Sequence, residues 1–433
     1  MFVIYATILI LIVILGSSVW VGLGLAGTGI VAAGIFRSSM PFVKHLAFSM
    51  WNTATTPTMM ALALFLLMAE ILFKTNLANL IFSGLTPWVS RLPGKLIHTN
   101  ILGCTIFASV SGSSAATTAT IGRVTLSELG KRGYDKTLSM GSLAGAGTLG
   151  FLIPPSTMLI IYGILSEESI LKLFLAGFVP GLIIAGLYAC YIMIYCSIHE
   201  GITPEEPHRY TLKDKMHGLV LLGPVVALML LILLSMYMGF ASPTEAAAVG
   251  VFGSCLIAFL QRTLTWSNLK EALLSAARTS SMVGFIIIGA VALSEIMGFL
   301  RIPTLLASKI AALHLSPFTL ILTLLVFYIF LGCIMEGMSI MVMTLPITMP
   351  LVLQAGFSKI WFGIFMVIAV ELAQITPPVG FNLFIIQGLT GEKIGDVAKA
   401  TMPFFFIMIF FALLIAVFPQ IVTYVPSRIV FTG

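Results

Sequence analysis

The sequence predicts an all-α polytopic membrane protein made of two inverted repeats, each with a re-entrant helical hairpin and a broken helix. Three observations support this fold. Hydrophobic residues form 59% of the 433 positions and charged residues only 9%, against about 45–50% and 25% in soluble domains. Apolar runs long enough to span a membrane recur along the chain. A shift of 223 positions superimposes Pro154-Pro155 on Pro377-Pro378, which indicates an internal duplication.

The apolar runs occupy most of the chain, so no soluble domain fits between them. A run of ~20 residues is long enough to cross a bilayer as a helix. The first run has no preceding basic residues and no clear small-residue cleavage site, so we expect a retained helix rather than a signal peptide. The runs include residues 1–17, 48–73, 137–165, 170–197, 217–239, 279–300, 358–388 and 401–425.

Charge and cysteine content argue against two other classes of protein. The net charge is +6, but the 22 Lys and Arg are scattered over short loops without a dense basic block, so we expect no nucleic-acid partner. The five cysteines show no C-x-x-C spacing, which argues against a disulfide framework or a zinc site.

The basic residues predict opposite orientations for the two repeats. The loop 123–136 carries four basic residues, whereas its counterpart around 346–359 carries only Lys359. The positive-inside rule therefore places the first loop in the cytoplasm and the second outside. Both chain ends then lie on the outer side.

This topology divides the chain into three parts. Residues 1–197 form the first repeat, 198–216 a cytoplasmic linker of mixed charge, and 217–433 the second repeat. The segments 96–122 and 318–350 must leave and return on one side, so we predict that each is a re-entrant hairpin. Irregular backbone at membrane depth occurs only where it is packed in protein or lines a wet cavity.

The tip of the first hairpin is a run of small hydroxyl residues, SVSGSSAATT at 109–118. Hydroxyl oxygens can bind a hard cation or a hydroxylated anion. The same residues also allow close helix packing in many membrane bundles. For one serine the packing role is the simpler interpretation, whereas the whole run at a predicted tip favours a binding site.

The two proline pairs interrupt the apolar runs 137–165 and 358–388. Because proline has no N–H, each pair should free two helix carbonyls: Gly150 and Phe151 in one run, Ala373 and Gln374 in the other. Freed carbonyls in hydrocarbon are costly, and unwound backbone of this kind binds sodium in transporters. The duplicated pairs therefore predict two sodium sites. The alternative is a simple kink, healed by a side chain or water.

Acidic residues inside apolar segments are costly and usually functional. Glu336 lies in the second hairpin and Glu371 in the helix that precedes Pro377. Glu336 could contribute to a binding site or satisfy N–H groups at the hairpin turn, and the sequence leaves both open. Glu245 has a structural explanation, because Ser242 to Glu245 reads as a capping box.

Four segments make the chain resemble the large membrane subunit of tripartite ATP-independent periplasmic (TRAP) transporters, of the wider ion-transporter superfamily. They are SVSGSSAATTATIG (109–122), GTLGFLIPPS (147–156), PTEAAAVG (243–250) and ITPPVGFNLF (375–384). The resemblance covers essentially the whole chain. It implies an elevator-type transporter of the bacterial inner membrane, and the outer side, on which the basic residues place both termini, would then be the periplasm.

The resemblance also implies which residues bind ions and substrate. Residues implied for the first sodium ion are Ser109, Ser111, Gly112, Gly150, Ile153 and Pro154. Those for the second are Gly332, Ala373, Thr376 and Val379. Residues expected to contact the substrate are Ser113, Ser114, Thr117 and Asn382. Half-helix N-termini beside them would favour its negative charge.

As the resemblance implies, the protein would import an organic acid such as sialic acid or a C4-dicarboxylate, driven by sodium. Its partners would be a small four-helix membrane subunit and a periplasmic substrate-binding protein. The alternative is a stand-alone sodium/anion symporter of the same superfamily. The absence of H-E-x-x-H, G-x-S-x-G and paired intramembrane aspartates argues against an enzyme. The particular acid and the sodium stoichiometry are left open.

Overall fold

The computed structural model of this chain describes residues 6–7, 9–11, 13–14, 19–36, 40–199, 201–204, 210–302, 305, 316–333, 335–378 and 380–428. Within these residues the secondary structure is helical, with no strand. The predicted all-α class is therefore confirmed. The predicted first span, 1–17, lies largely outside the described residues.

The helices of the first half range from short segments to one of 29 residues. They are α1 (Val21–Phe36), α2 (Met40–Thr55), α3 (Pro57–Phe73), α4 (Leu77–Val89), α5 (His98–Ser111), α6 (Ser114–Lys131), α7 (Lys136–Gly147), α8 (Thr157–Ser166) and α9 (Ile170–Ile198). Short 3-10 turns cover Lys95–Ile97 and Thr148–Phe151.

The helices of the second half begin after a connection that is shorter than the predicted linker 198–216. They are α10 (Leu212–Tyr237), α11 (Pro243–Leu260), α12 (Trp266–Phe299), α13 (Pro317–Gly332), α14 (Gly337–Gln354), α15 (Lys359–Gln374), α16 (Phe381–Thr390), α17 (Ile394–Val417) and α18 (Gln420–Ser427). At the start of α11, Ser242 and Glu245 form the predicted capping box.

Helix boundaries recur at the spacing of the sequence repeat. Ser114 and Gly337, the first residues of α6 and α14, are 223 positions apart, as are Lys136 and Lys359, the first residues of α7 and α15. The bent pair α2 and α3, whose axes differ by 42° at the break, corresponds to the single long helix α12. The duplication is therefore visible in the helices as well as in the prolines.

Several helices have the length and apolarity of membrane spans. Among the described residues, six helices qualify, or seven if the bent pair counts as one span. Shorter apolar helices include α8, α13 and α16, which lie at the hairpins and breaks. The chain is thus a multi-pass membrane protein.

The helices pack in two groups, and each group contains helices from both halves. In one group, α12 packs on α1 and α3, α11 on α3, and α10 on α4. In the other, α7 packs on α17, α6 on α16, and α15 on α13 and α14. The second group contains both hairpins and both proline breaks.

The helices that run into the breaks lie at the centre of the second group. Every residue of α15 from Trp361 to Gln374 is buried, as is every residue of α7 from Leu138 to Gly147. A helix that is apolar all round is typical of a protein interior. Both helices therefore deliver their C-terminal ends into the interior of the protein.

Candidate functional site

The first hairpin turns at two residues between α5 and α6. Gly112 has a φ of +57°, a conformation that glycine adopts without steric cost. Ser113 then caps α6, because its hydroxyl accepts from the N–H of Ala116. The carbonyl of Gly112 accepts from both the N–H of Thr157, at 3.3 Å, and its hydroxyl, at 2.6 Å. The hairpin tip is therefore tied to the start of α8.

The first break separates α7 from α8 at the predicted proline pair. The helix tightens into the 3-10 turn Thr148–Phe151 and ends, and the Pro154–Pro155 bond is cis. Ser156 caps α8, and its hydroxyl also donates to the carbonyl of Phe151. The prediction that Phe151 keeps a free carbonyl is therefore wrong, because a hydroxyl replaces the missing N–H.

The second break follows the same plan with different partners. The hydroxyl of Thr376 donates to the carbonyl of Leu372 at 2.6 Å. The backbone N–H of Thr376 donates to the carbonyl of Ala373 at 3.3 Å. Ala373 thus keeps a partner, contrary to the prediction of a freed carbonyl. Just before α16, the N–H of Gly380 donates to the carbonyl of Thr376 at 2.9 Å. The Pro377–Pro378 bond is also cis.

Glu336 takes the capping role at the second hairpin. Its carboxylate accepts from the N–H of Ser339 at 3.3 Å, at the start of α14. It lies 223 positions after Ser113, the cap of α6. Nearby, the thiol of Cys333 donates to the carbonyl of Pro377 at 3.2 Å. Each hairpin thus contacts the break of its own repeat.

Each hairpin approaches its broken helix so closely that one side must be glycine. A Cβ on Gly150 would lie 2.6 Å from both the carbonyl oxygen of Ser113 and the Cα of Ser114. A Cβ on Gly332 would lie 1.9 Å from the Cβ of Ala373. In the first repeat the glycine, Gly150, lies in the break, whereas in the second repeat the glycine, Gly332, lies in the hairpin.

A buried carboxylate joins the two halves beside the breaks. Glu371 is 1% exposed. Its carboxylate accepts from the hydroxyl of Ser114 at 2.8 Å and from the N–H of Phe151 at 3.0 Å. Ser114 in turn accepts from the side-chain amide of Asn382 at 2.8 Å and lies 3.1 Å from the carbonyl of Gly147. This network connects α6, α7, α15 and α16.

The structure brings together most, but not all, of the residues predicted for sodium. Ser111, Gly112 and Gly150 lie around the first hairpin and break, while Ile153 and Pro154 belong to the break itself. The hydroxyl of Ser109, in contrast, points to Met229 of α10 and to its own helix. In the second repeat, Gly332, Ala373 and Thr376 are adjacent. Val379 lies outside the described residues.

Most of the residues predicted to contact the substrate are buried and already hydrogen-bonded to other protein groups. Ser114 and Asn382 bond to each other, and the hydroxyls of Thr117 and Ser111 lie 2.6 Å apart. Ser113 is half-buried. Sequence reasoning noticed Glu371 only as an acidic residue in a span and missed its partners. It missed Thr157 as well, for which the preceding Pro-Pro-Ser and a helix start were the available signal.

Two cavities lie at equivalent positions in the two repeats. One, of about 450 Å³, is lined by five residues of α14 together with α2, α8 and α12. The other, of about 400 Å³, is lined by the five equivalent residues of α6, each 223 positions earlier, with α7 and α16. The α14 residues are Leu345, Pro346, Met349, Pro350 and Leu353, and the α6 residues are Gly122, Arg123, Leu126, Ser127 and Gly130.

These cavities differ in charge. The first is lined by Glu167 and Glu295. The second is lined by Arg123, Lys131 and Lys136, with one glutamate that pairs with Lys136 at 3.1 Å. Equivalent spaces in the two halves therefore present opposite charge to whatever enters them.

Comparisons with known proteins agree on one family. A family model described as "Tripartite ATP-independent periplasmic transporter, DctM component" matches residues 7–421. The C4-dicarboxylate TRAP transporter large permease protein DctM of Pseudomonas aeruginosa is 32% identical over 94% of this chain and 93% of its own length. The isethionate TRAP transporter permease protein DctMQ of Oleidesulfovibrio alaskensis is 33% identical over 96% of this chain and 64% of its own length.

Two further matches extend the comparison. The ectoine TRAP transporter large permease protein TeaC of Halomonas elongata is 29% identical over 84% of this chain and 85% of its own length. The crystal structure of the YdaH transporter of Alcanivorax borkumensis superimposes with a TM-score of 0.64, at 15% identity, over 93% of this chain and 97% of that one. At that identity the likeness concerns the fold alone.

Proposed function

This chain belongs to the DctM family of TRAP transporter large permeases, and from this premise we propose that it is the translocation subunit of a sodium-driven organic-acid importer. The resemblance stated from the four sequence segments is thereby confirmed at the level of the family. The driving ion, the ligands and the mechanism are our proposal beyond the family assignment. The observation that carries it is the pair of hairpins, each packed on a proline break lined with oxygen atoms.

The oxygen atoms around the two breaks suit a small, hard cation. The residues that would provide them are Ser111, Gly112 and Gly150 near the first break, and Gly332, Ala373 and Thr376 near the second. Carbonyl and hydroxyl oxygens are the ligands that such cations prefer. We place one sodium ion at each break. Ile153, Pro154 and Val379 belong to these sites through the resemblance, whereas the Ser109 hydroxyl faces α10 and leaves only its backbone available.

The substrate would bind beside the hairpin tips as an organic anion. The relatives are named for C4-dicarboxylates, isethionate and ectoine. Ser113 is the predicted contact that is only half-buried. It caps the N–H of Ala116, and the other N–H groups of the first turn of α6 would face an anion. We propose that Ser113 contacts a carboxylate directly. Ser114, Thr117 and Asn382 would then support that contact from behind or reach the substrate after a rearrangement.

The proposed mechanism is an elevator movement of the hairpin-containing helix group against the other group. Positive-inside counting places the basic cavity, with Arg123, on the cytoplasmic side and the acidic one outside. A cytoplasmic cavity lined by cations favours the arrival of an organic anion there. Sodium binding would organise the hairpin tips first, so that substrate binding depends on sodium. The chain would lie in the bacterial inner membrane with both termini periplasmic.

The word "tripartite" in the family description indicates three components. We propose a small four-helix membrane subunit and a periplasmic substrate-binding protein as the two partners. This chain spans 64% of the relative named DctMQ, as expected if that relative carries a small subunit fused to a large one.

Uptake into proteoliposomes tests the proposed function. Liposomes containing this chain, its small subunit and the binding protein should accumulate a labelled sialic acid, succinate or keto acid with sodium outside. Replacing sodium by choline should abolish uptake. For a monoanion carried with two sodium ions, one net positive charge enters, so an inside-negative potential should accelerate its uptake, because that charge gains ~2.3 kcal/mol per 100 mV. Uptake in choline equal to that in sodium would contradict the proposal.

The same assay separates the alternative, a stand-alone symporter. Withholding the binding protein should stop uptake if the transporter is tripartite. Uptake that persists without it would favour the stand-alone symporter. The family assignment favours the tripartite form.

Sodium should also protect Cys333 from alkylation. This thiol is half-buried and contacts the carbonyl of Pro377, so an ion held between Gly332 and Ala373 would fix its surroundings. In a variant with the other four cysteines replaced, the rate of maleimide labelling should fall several-fold in sodium compared with choline. A matched variant retaining only Cys255, half-buried on α11, should label at equal rates in both salts. Equal rates at Cys333 would contradict the second sodium site.

A further inference from the structure

Glu371 has no role in the sodium or substrate contacts proposed above, although it is the most deeply placed carboxylate near the breaks. We propose that Glu371 is a positioning residue that couples the two sodium sites, so that sodium binds them cooperatively. This inference rests on the proposed function. It adds the residue through which ion binding at one break would affect ion binding at the other.

On one side, Glu371 is hydrogen-bonded to both the hairpin and the break that form the first sodium site. One carboxylate oxygen accepts from the N–H of Phe151, the residue directly after Gly150. The other accepts from the hydroxyl of Ser114, the first residue of α6 after the turn at Gly112 and Ser113. Gly150 lies against Ser113 and Ser114 without room for a side chain. Any shift of hairpin or break that accompanies sodium binding must therefore move groups bonded to Glu371.

On the other side, Glu371 belongs to the last turn of α15. Leu372 and Ala373, the next two residues, present the carbonyls that Thr376 contacts at the second break. Ala373 also lies directly against Gly332 of the second hairpin. The last turn of α15 therefore contains both Glu371, which is hydrogen-bonded to the first site, and Ala373, which lines the second.

The tie consists of hydrogen bonds rather than an ion pair. Among the described residues, no Lys, Arg or His side chain pairs with Glu371. The N–H of Phe151 is buried, and a buried donor left without an acceptor is destabilising. The Ser114 hydroxyl has a second acceptor, the carbonyl of Gly147 at 3.1 Å, so its bond to Glu371 fixes the hairpin's position rather than only satisfying a donor. The two repeats are thus held in one relative position as long as Glu371 accepts from both groups.

The physical consequence is positive coupling. An ion that orders one break also orders the residues of the other through a shared carboxylate, so the second ion meets a site that is already ordered. Reciprocity requires that the effect be equal in both directions. Without the tie, the two sites should fill independently.

Sodium titration of Cys333 protection tests this coupling in the purified chain with its small subunit. The parent protein should show a Hill slope of about 2, and the variants Glu371→Met and Ser114→Ala should flatten it to about 1. Glu371→Gln should keep the steep slope, because its amide can still accept from Phe151 and donate to Ser114. Glu295→Met is the matched control, since Glu295 also accepts from a serine, Ser49 at 3.0 Å, but lies on α12, away from both breaks.

The outcomes discriminate clearly. A steep slope in both Glu371→Met and Ser114→Ala would overturn the coupling role. A slope in Glu371→Gln as flat as in Glu371→Met would also overturn it, because charge rather than hydrogen bonding would then be responsible. If Glu371→Met does not fold, Ser114→Ala alone decides. Absence of sodium protection in the parent protein would instead contradict the sodium sites themselves.

Discussion

Replacing Gly150 by alanine is expected to cause a severe loss of sodium-dependent uptake. The new Cβ would lie 2.6 Å from the Ser113 carbonyl oxygen and from the Cα of Ser114. Both are backbone atoms of the hairpin turn, so neither can move aside as the end of a flexible side chain would. Overpacking of this kind costs about 1–3 kcal/mol, equivalent to about 5- to 150-fold in an equilibrium constant. The half-saturating sodium concentration should rise accordingly.

Gly186→Ala provides the matched control. Gly186 lies within α9, and nothing lies within 4 Å of the position that its Cβ would occupy. The same chemical change there should leave both expression and sodium affinity unaltered. Detergent-solubilised protein should elute as a single peak in both variants, which separates a local effect from unfolding. Normal sodium affinity in Gly150→Ala would show that the first hairpin and break need not touch for transport.

The fold was predictable because its signals are local. Composition and run length identified the spans, and two proline pairs at one spacing revealed the duplication. The first hairpin, predicted for 96–122, contains the turn at Gly112 between α5 and α6. The predicted second hairpin, 318–350, contains the turn before Gly337 in the same way. Orientation relative to the membrane stays a prediction.

The site was less predictable because its contacts join distant residues. Glu371 meets Phe151 across 220 positions of sequence, and no periodic pattern in either helix indicates which buried donor faces which acceptor. The direction of Ser109 depends on the rotation of α5, which a motif does not report. The freed carbonyls were overestimated for a related reason. The Ser156 hydroxyl, whose rotamer depends on packing around the break, donates to Phe151, and the backbone N–H of Thr376 donates to Ala373.

The sequence difference at the two close contacts has a physical meaning. Position 150 corresponds to 373 in the repeat and position 109 corresponds to 332. The first repeat places glycine on the broken helix, whereas the second places it on the hairpin and has alanine at position 373. Each repeat thus has glycine at one of these two positions, but Gly150 makes its close contact with Ser113 and Ser114, whereas Gly332 makes its contact with Ala373. This difference makes the second contact testable by exchange.

Gly332→Ala should impair sodium-dependent uptake as severely as Gly150→Ala, and adding Ala373→Gly should restore part of it. The alanine Cβ at 332 would lie 1.9 Å from the Cβ of Ala373. Deleting that methyl group removes the worst overlap. The Cα of residue 373 would still lie 2.6 Å away, closer than non-bonded carbon atoms approach, so rescue should be incomplete. Half-saturating sodium concentrations for the single and double variants provide the measurement.

If the two hairpin contacts are separate, the rescue should be specific to one of them. Ala373→Gly should improve Gly332→Ala but not Gly150→Ala, because the overlap at Gly150 involves Ser113 and Ser114 of the other hairpin. Interaction between changes at contacting positions is expected, whereas changes without shared partners add independently. A double variant no better than Gly332→Ala alone would mean that the second hairpin does not rest on Ala373 during transport. Equal improvement of both single variants would point to general loosening of α15 instead of a local contact.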